Sequence, residues 1–557
     1  MTVHSRRSFC VLGSAALLGV WSSPTPAKDN RPPNSNDQDS HINRKFQNPI
    51  LPGFNPDPSI CRVGEDYYLS TSSFIWFPGM PVYHSRDLVN WQLIGHGLDR
   101  AGLINFDGIK DKDGIWAVTI RHHDGLFYLV STAHDCGGQF YVTAKDPRGP
   151  WSDPVWLNDA PGIDSSLMWD DDGKCYFTAN TWNFPKDFKK SWPAQTAIWM
   201  QELDLSQKKL VGERRVLTYG YGPESGYMEG PHVYKIGSQY LLITAQGGEK
   251  HEIAAYHSKS VWGEYVAEKT NPVLSHQRFG SKHPIQGVGH ADLVQTQHGE
   301  WWAVALGKRV VDGEFPLARE TFLCEVKFVD GTPVFCPGHG QVLLEQDRPN
   351  LPWTPVKTVP ARDEFDTGSL APEWHFVRVP NRKFHQVSGG KLTVELGPQT
   401  VDGVVNTSMI IRRIEHHHFF AASKLSFSAA KANEEAGIII HRTGDNYFTL
   451  MKTSSTIVLA KKHDGKKEII ATLPYSKPDV YFSVTGMGLD VNFSIGESAD
   501  TLIPIGGTES LAIISENKNN KFNGVGIGVY ATSNGAESNN HALYDWFEYR
   551  KYSLARP

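Results

Sequence analysis

No stretch of this 557-residue chain is apolar for long enough to cross a membrane as a helix. The best run, residues 10–21, is about 12 residues where a span needs about 20. Positive charge does not dominate: 55 Lys and Arg face 60 Asp and Glu, and no basic tract follows the first few residues. That excludes the electrostatic footprint of a nucleic-acid binder. Cysteine is scarce. Beyond residue 27 there are only Cys61, Cys136, Cys175, Cys324 and Cys336, an odd and scattered set with no metal-site spacing. A disulfide framework and a cysteine metal site are both excluded; Cys324 and Cys336 could close a hairpin but read as packing residues. No long segment carries a helical period, so the chain reads as all-β.

The first residues look like a targeting segment. Ser5-Arg-Arg-Ser-Phe-Cys resembles a twin-arginine export motif ahead of the short apolar run, and a small-residue site ends near Ala27. We expect residues 1–27 to be a signal peptide and the mature protein to be periplasmic or secreted, with no membrane contact; an uncleaved anchor is the alternative. Residues 28–45 are polar and rich in Pro, Asn and Asp, the composition of a flexible spacer.

What is abundant is Gly (51), Pro (34) and aromatic residues (11%), the punctuation and filling of short strands. One pattern recurs five times: a strand, a tight turn at Gly64, Gly125, Gly173, Gly237 or Gly299, and a second, aromatic-rich strand. The turns lie 61, 48, 64 and 62 residues apart, about one four-stranded sheet of chain each. Such spacing predicts a five-bladed β-propeller over residues 46–345. Residues 346–361 contain four prolines and lack the backbone donors to sit inside a sheet, hence a linker. Residues 362–557 alternate like short strands between turns, which predicts a β-sandwich whose last strand ties down the C-terminus.

Acidic residues hold a common register against those turns. Asp57 lies seven residues before its glycine, Asp164 nine before and Glu229 eight before. Seen alone, each is an ordinary turn residue. Taken together, blade symmetry brings them to one central hole. Three carboxyls around a hole suit glycosidic hydrolysis: one is protonated to donate to the leaving oxygen, one is ionised to activate water, and a third charge holds the acid's pKa up. Groups on different blades stand across the axis, which favours the wider separation of an inverting enzyme. The same register carries Trp116, a sugar platform or a blade-core residue, and His290, which orients a carboxylate, holds a cation through water, or is structural.

These runs resemble glycoside hydrolase family 43, the five-bladed β-xylosidases and α-L-arabinofuranosidases. The resemblance rests on Asn48-Pro-Ile-Leu-Pro-Gly-Phe-Asn-Pro-Asp57-Pro-Ser-Ile, Ser73-Phe-Ile-Trp-Phe-Pro-Gly, Tyr83-His-Ser-Arg-Asp-Leu-Val-Asn-Trp, Gly162-Ile-Asp-Ser-Ser-Leu, Glu229-Gly-Pro-His and Gly289-His-Ala-Asp. It implies Asp57 as general base, Glu229 as general acid and Asp164 as the group that tunes and positions the acid. It also implies Phe74 and Trp116 at the sugar subsite, Arg319 reaching substrate hydroxyls, and an exo-acting, inverting attack on oligosaccharides. No cofactor is required; a structural Ca2+ at the propeller axis, near His290, is the one metal the resemblance leaves room for. The family's Trp-Ala-Pro and Leu-Gly-Arg-Glu are Trp116-Ala-Val118 and Leu317-Ala318-Arg319-Glu320 here, departures expected to touch the subsite wall. Residues from 362 resemble the concanavalin-A-like sandwich (a jelly roll) of such xylosidases; whether 432–437 reaches the site is left open by the sequence. Oligomeric state is not encoded legibly. Two alternatives have distinct signatures: a non-catalytic carbohydrate-binding propeller would not need all three carboxyls, and a retaining fructan-cleaving enzyme would carry Asn-Asp-Pro-Asn-Gly where this chain has Asn55-Pro-Asp57-Pro.

Overall fold

The computed structural model describes residues 44–184, 186–516 and 522–552. The expected signal peptide and nearly all of the spacer lie outside them. Among the described residues, helix is limited to short 3-10 turns. Five four-stranded antiparallel sheets, blades I–V, follow in chain order, and each of the five turn glycines closes the first hairpin of one blade. Their first strands are Ser59–Val63, Gly114–His123, Ser166–Trp169, Glu229–Ile236 and Ile285–Gln295. Each touches the next, and the last returns to the first, so the strands close a ring.

Side-chain alternation explains why the ring holds. Each sheet offers one face to the blade before it and the other to the blade after it, so both faces must be apolar. The buried clusters accordingly span pairs of neighbours. Val82 of blade I packs with Ile120 and Leu129 of blade II. Tyr141 of blade II meets Phe177 and Trp199 of blade III, and Met200 of blade III meets Leu242 and Tyr256 of blade IV. Ile243 of blade IV packs with Leu293 and Phe322 of blade V, and Val304 of blade V returns to Tyr67 and Leu69 of blade I. Four blades are built from consecutive strands; blade I sends the short strand Trp76–Phe77 out to the second lobe between its second and third strands. Closure comes from the incoming chain: Lys45–Gln47 pairs with Glu345–Asp347, and Leu51 bridges to Thr321 of blade V. The ring-side pairing thus runs to Asp347, two residues past the expected end of the propeller at 345, and residues 348–361 form no strand.

The second lobe is two facing sheets of nine and six strands. Phe482, Val484 and Leu425 of the larger sheet share one core with Ile438, Ile440, Leu450 and Val529 of the smaller. The last described strand, His541–Lys551, runs between Lys391–Glu395 and His418–Ser426 and is tied into the sheet as expected.

The lobes share a core rather than merely touching. Phe54, Phe74, Ile75 and Trp76 of the propeller are buried with Val377, Met409, Ile411, Tyr447 and Tyr530 of the sandwich. Strand Trp76–Phe77 pairs with Phe376–Val377, and Arg413 Nε donates to Phe54 O at 2.7 Å. Each large apolar side chain fully buried is worth about 1.5–3 kcal/mol, so sliding the lobes apart exposes far more than marginal stability tolerates. Gly524 shows how close the approach is: a Cβ there would fall 1.9 Å from Phe54 Cγ. Gly524→Ala is expected to destabilise the protein by about 1–3 kcal/mol through overpacking, read as a lowered urea midpoint. An unchanged midpoint would mean that Phe54 is not wedged against the sandwich.

Candidate active site

At the mouth of the ring is a pocket of about 460 Å³, within the range of small-molecule sites. Asp57, Phe74, Trp116, Asp164, Glu229, His290 and Arg319 all line it, every site residue read from the sequence. A larger cavity of about 670 Å³ runs along the seam between blade I and the sandwich, past Tyr83, Trp91, Arg362 and Arg412. It lacks all seven, so chemistry selects the smaller pocket.

The backbone aims these groups. Asp57, Asp164 and His290 sit just ahead of or within the inner strands with φ of 52°, 58° and 47°, left-handed for non-glycine residues. In blade IV the left-handed residue is Gly230 (φ 56°), directly after Glu229. The His290 ring packs on Gly230 so closely that a Cβ would come 3.0 Å from its Nε2. Left-handed residues other than glycine cost about 1–3 kcal/mol and persist where surrounding structure overdetermines them, as at functional sites. The recurrence on three blades is the structural counterpart of the shared register.

Electrostatics separate the three carboxyls. Burial pushes Asp57 up, but Arg319, His290 and the Ser72 hydroxyl outweigh it and leave its pKa below the usual aspartate value. Arg319 Nη1 donates to Asp57 Oδ1 at 2.7 Å and Ser72 Oγ to Oδ2 at 2.6 Å; His290 Nδ1 lies 3.7 Å from Oδ1. Burial raises Glu229 to about 7, with the negative charge of Asp57 adding to it and Arg319 opposing. Asp164 is also raised to about 7, by burial first and then by the charges of Glu229 and Asp57, against His290 and the Gly230 N–H. That N–H donates to Asp164 Oδ2 at 3.2 Å, tying Asp164 to the residue beside Glu229. One carboxylate is therefore held ionised while two carboxyls keep a proton to near neutrality. His251 Nε2 stands 3.6 Å from Glu229 Oε1; burial and the nearby Arg319 and Lys308 lower its pKa to about 3, so it is neutral.

The walls are partly apolar. Trp116 is half-buried rather than a core residue, and its indole stacks on His134, ring centres 3.8 Å apart and planes within 5°. Buried Asp113 lies 3.0 Å from His134 Nδ1, so a carboxylate–imidazole pair braces the platform. Neither departure from the family pattern lines the pocket, and the expected contact with its wall is limited to Ala318. Val118 belongs to the apolar core between blades I and II, and Ala318 packs behind Phe74 at the lobe interface. Ala318 adopts φ 61°, a left-handed position that accounts for glycine in the family pattern.

The sandwich does reach the pocket. Residues 432–437 do not line it; Asn433 and Glu434 bond to the 533–540 segment instead. Glu516 and Phe522 line it. Phe522 O accepts Arg319 Nη2 at 2.8 Å, and Glu516 Oε1 lies 3.3 Å from Lys308 Nζ and 3.7 Å from Arg319 Nε. Tyr227 and His251 also line the pocket unannounced. Tyr227 had a signal, two residues before Glu229, whereas His251, Glu516 and Phe522 stand in no repeat or motif.

Residues 46–333 match the sequence profile of glycosyl hydrolases family 43. The chain belongs to that family. It is a glycoside hydrolase, and residues 362–550 match the β-xylosidase C-terminal concanavalin-A-like domain. The glycosidase is 38% identical over 524 residues to a non-reducing end α-L-arabinofuranosidase, BoGH43B, of Bacteroides ovatus, covering 91% of this chain and 95% of the relative. It is 36% identical over 514 residues to a xylosidase/arabinosidase of Butyrivibrio fibrisolvens, covering 90% and 98%. Among solved structures it is similar to a xylan β-1,4-xylosidase from Bacillus halodurans, with TM-score 0.85, 30% identity, and coverage of 91% and 100%.

Arg319→Met removes the main charge holding Asp57 down. The Asp57 pKa is then expected to rise, moving the acid limb of the kcat/KM–pH profile to higher pH, since activity that needs an ionised base is lost as pH falls through its pKa. An acid limb that stays in place would separate Arg319 from control of Asp57.

Proposed function

We propose that this glycosidase removes a terminal β-D-xylose or α-L-arabinofuranose from xylan- or arabinan-type oligosaccharides, inverting the anomeric carbon. The observation that carries the proposal is the opposite displacement of buried carboxyls in one pocket: Asp57 below its usual pKa, Glu229 at about 7. In this reading Glu229, protonated near neutrality, donates its proton to the leaving oxygen as the glycosidic bond breaks. Asp57, ionised and anchored by Arg319 and Ser72, accepts the proton of a water attacking from the opposite face. Asp164 accepts the Gly230 N–H beside Glu229 and so positions the acid, while the charge that disfavours ionisation of Glu229 is that of Asp57.

Phe74 and Trp116 offer apolar faces to a sugar ring, while Arg319 and His290 offer donors to its hydroxyls. Exo action is supported by Glu516 and Phe522, which bring the sandwich to the pocket and narrow what is otherwise the open mouth of a ring. The pentose assignment is supported by the relatives, named as xylosidases, arabinosidases or both.

Assay on aryl β-D-xyloside and α-L-arabinofuranoside tests the substrate class; hydrolysis of neither, with turnover of a hexoside, would contradict it. Glu229→Gln is expected to lower kcat by about 10²–10⁴ while KM changes little, because the amide keeps the shape and deletes the proton. Unaltered turnover would remove Glu229 from the mechanism.

A further inference from the structure

Directly below the pocket, four blades converge on one guanidinium. Arg121, five residues after Trp116 on blade II, donates to both oxygens of Asp292 of blade V: Nη1 to Oδ2 at 2.7 Å and Nη2 to Oδ1 at 3.0 Å. Its Nη2 also meets His232 Nδ1 of blade IV at 2.9 Å, and its Nη1 meets Ser59 Oγ of blade I at 3.2 Å. Asp292 is fully buried, and its remaining lone pairs are taken by Ser59 Oγ, the Ile60 N–H and the Tyr234 hydroxyl, at 2.5, 3.0 and 2.5 Å. Burial, opposed by Asp292 and reinforced by Arg121, lowers the His232 pKa to about 3, so the ring is neutral and accepts from the guanidinium.

The positions matter as much as the bonds. Ser59 follows Asp57 by two residues, His232 follows Glu229 by three, and Asp292 follows His290 by two. One bidentate ion pair with its hydrogen bonds therefore joins the strands that carry base, acid and imidazole. Bidentate guanidinium–carboxylate pairs are directional, so they fix geometry as well as charge.

A Ca2+ at this axis would need six to eight oxygens at about 2.3–2.6 Å. The residues here do not fit it. Both Asp292 oxygens are already committed, His232 and His290 bring nitrogen, and Arg121 already sets a fixed positive charge against Asp292. We propose that the Arg121 guanidinium is the resident cation of the propeller axis, a positioning residue that sets the pocket carboxyls in place of a metal ion. The positioning role rests on the acid–base reading of Asp57 and Glu229; the cation role does not.

The test has two arms. In the first, the unmodified enzyme is treated with EDTA and titrated with CaCl2, following thermal midpoint and kcat/KM. Neither is expected to move. Loss on chelation with recovery on adding Ca2+ would overturn the proposal, and an enzyme hydrolysing no pentoside would fail the functional reading while leaving the midpoint arm readable. In the second, Arg121→Met is expected to lose about a hundredfold in kcat with KM within a few-fold, as for a reacting group displaced by about 1 Å. The double variant Arg121→Met/Asp292→Asn, which removes the stranded charge, is expected to regain at least tenfold. Full kcat in Arg121→Met, or no recovery in a folded double variant, would overturn the positioning role. Should the single variant not fold, folding of the double variant supports charge compensation; failure of both to fold, with an unmodified enzyme that responds to Ca2+, rejects it.

Discussion

The pocket depends on a backbone constraint: at the mouth of the ring the chain turns left-handed before or within an inner strand, and it does so where function is carried. Asp57, Asp164 and His290 all accept this conformation without being glycine. Aspartate tolerates it better than most residues because its short carboxylate bonds locally. The strain is offset elsewhere, by apolar clusters that each lock one blade to the next and by the core shared between propeller and sandwich. In a closed ring every neighbour restricts the same strand.

Holding carboxyls in a buried ring then makes their proton affinities diverge. Desolvation raises all three, and only Asp57 has a cation in contact to reverse it. That cation is itself held from the second lobe, through the Phe522 carbonyl, with Glu516 nearby. The sandwich is thus part of the chemistry as well as of the wall. Fold and catalysis meet at one arginine side chain.

Much of this was legible in the sequence because propeller blades repeat. The turn glycines marked the five hairpins, and register against them brought Asp57, Asp164, Glu229, Trp116 and His290 into one pocket. Non-repeating features stayed hidden. Glu516 and Phe522 reach the site through a tertiary approach that no period announces, and the segment 432–437 is used to brace the sandwich. The departures at Val118 and Ala318 looked like changes of the subsite wall because they flank Trp116 and Arg319. Regular alternation would put Val118 on the same face as Trp116, two residues before it; an irregularity in the pairing between Ile115 and Val118 instead turns Val118 into a blade core, and the left-handed turn at Ala318 faces the lobe interface.

In the proposed reading Asp57 acts as base to a water rather than as nucleophile, and Glu229 as acid, so the displacement is a single one. Proton NMR of the first-formed sugar tests this most directly. From an aryl β-D-xyloside the account predicts α-xylose at the earliest times, or β-arabinofuranose from an α-L-arabinofuranoside, with the other anomer growing only at the rate of mutarotation. Initial release of the anomer matching the substrate would contradict it.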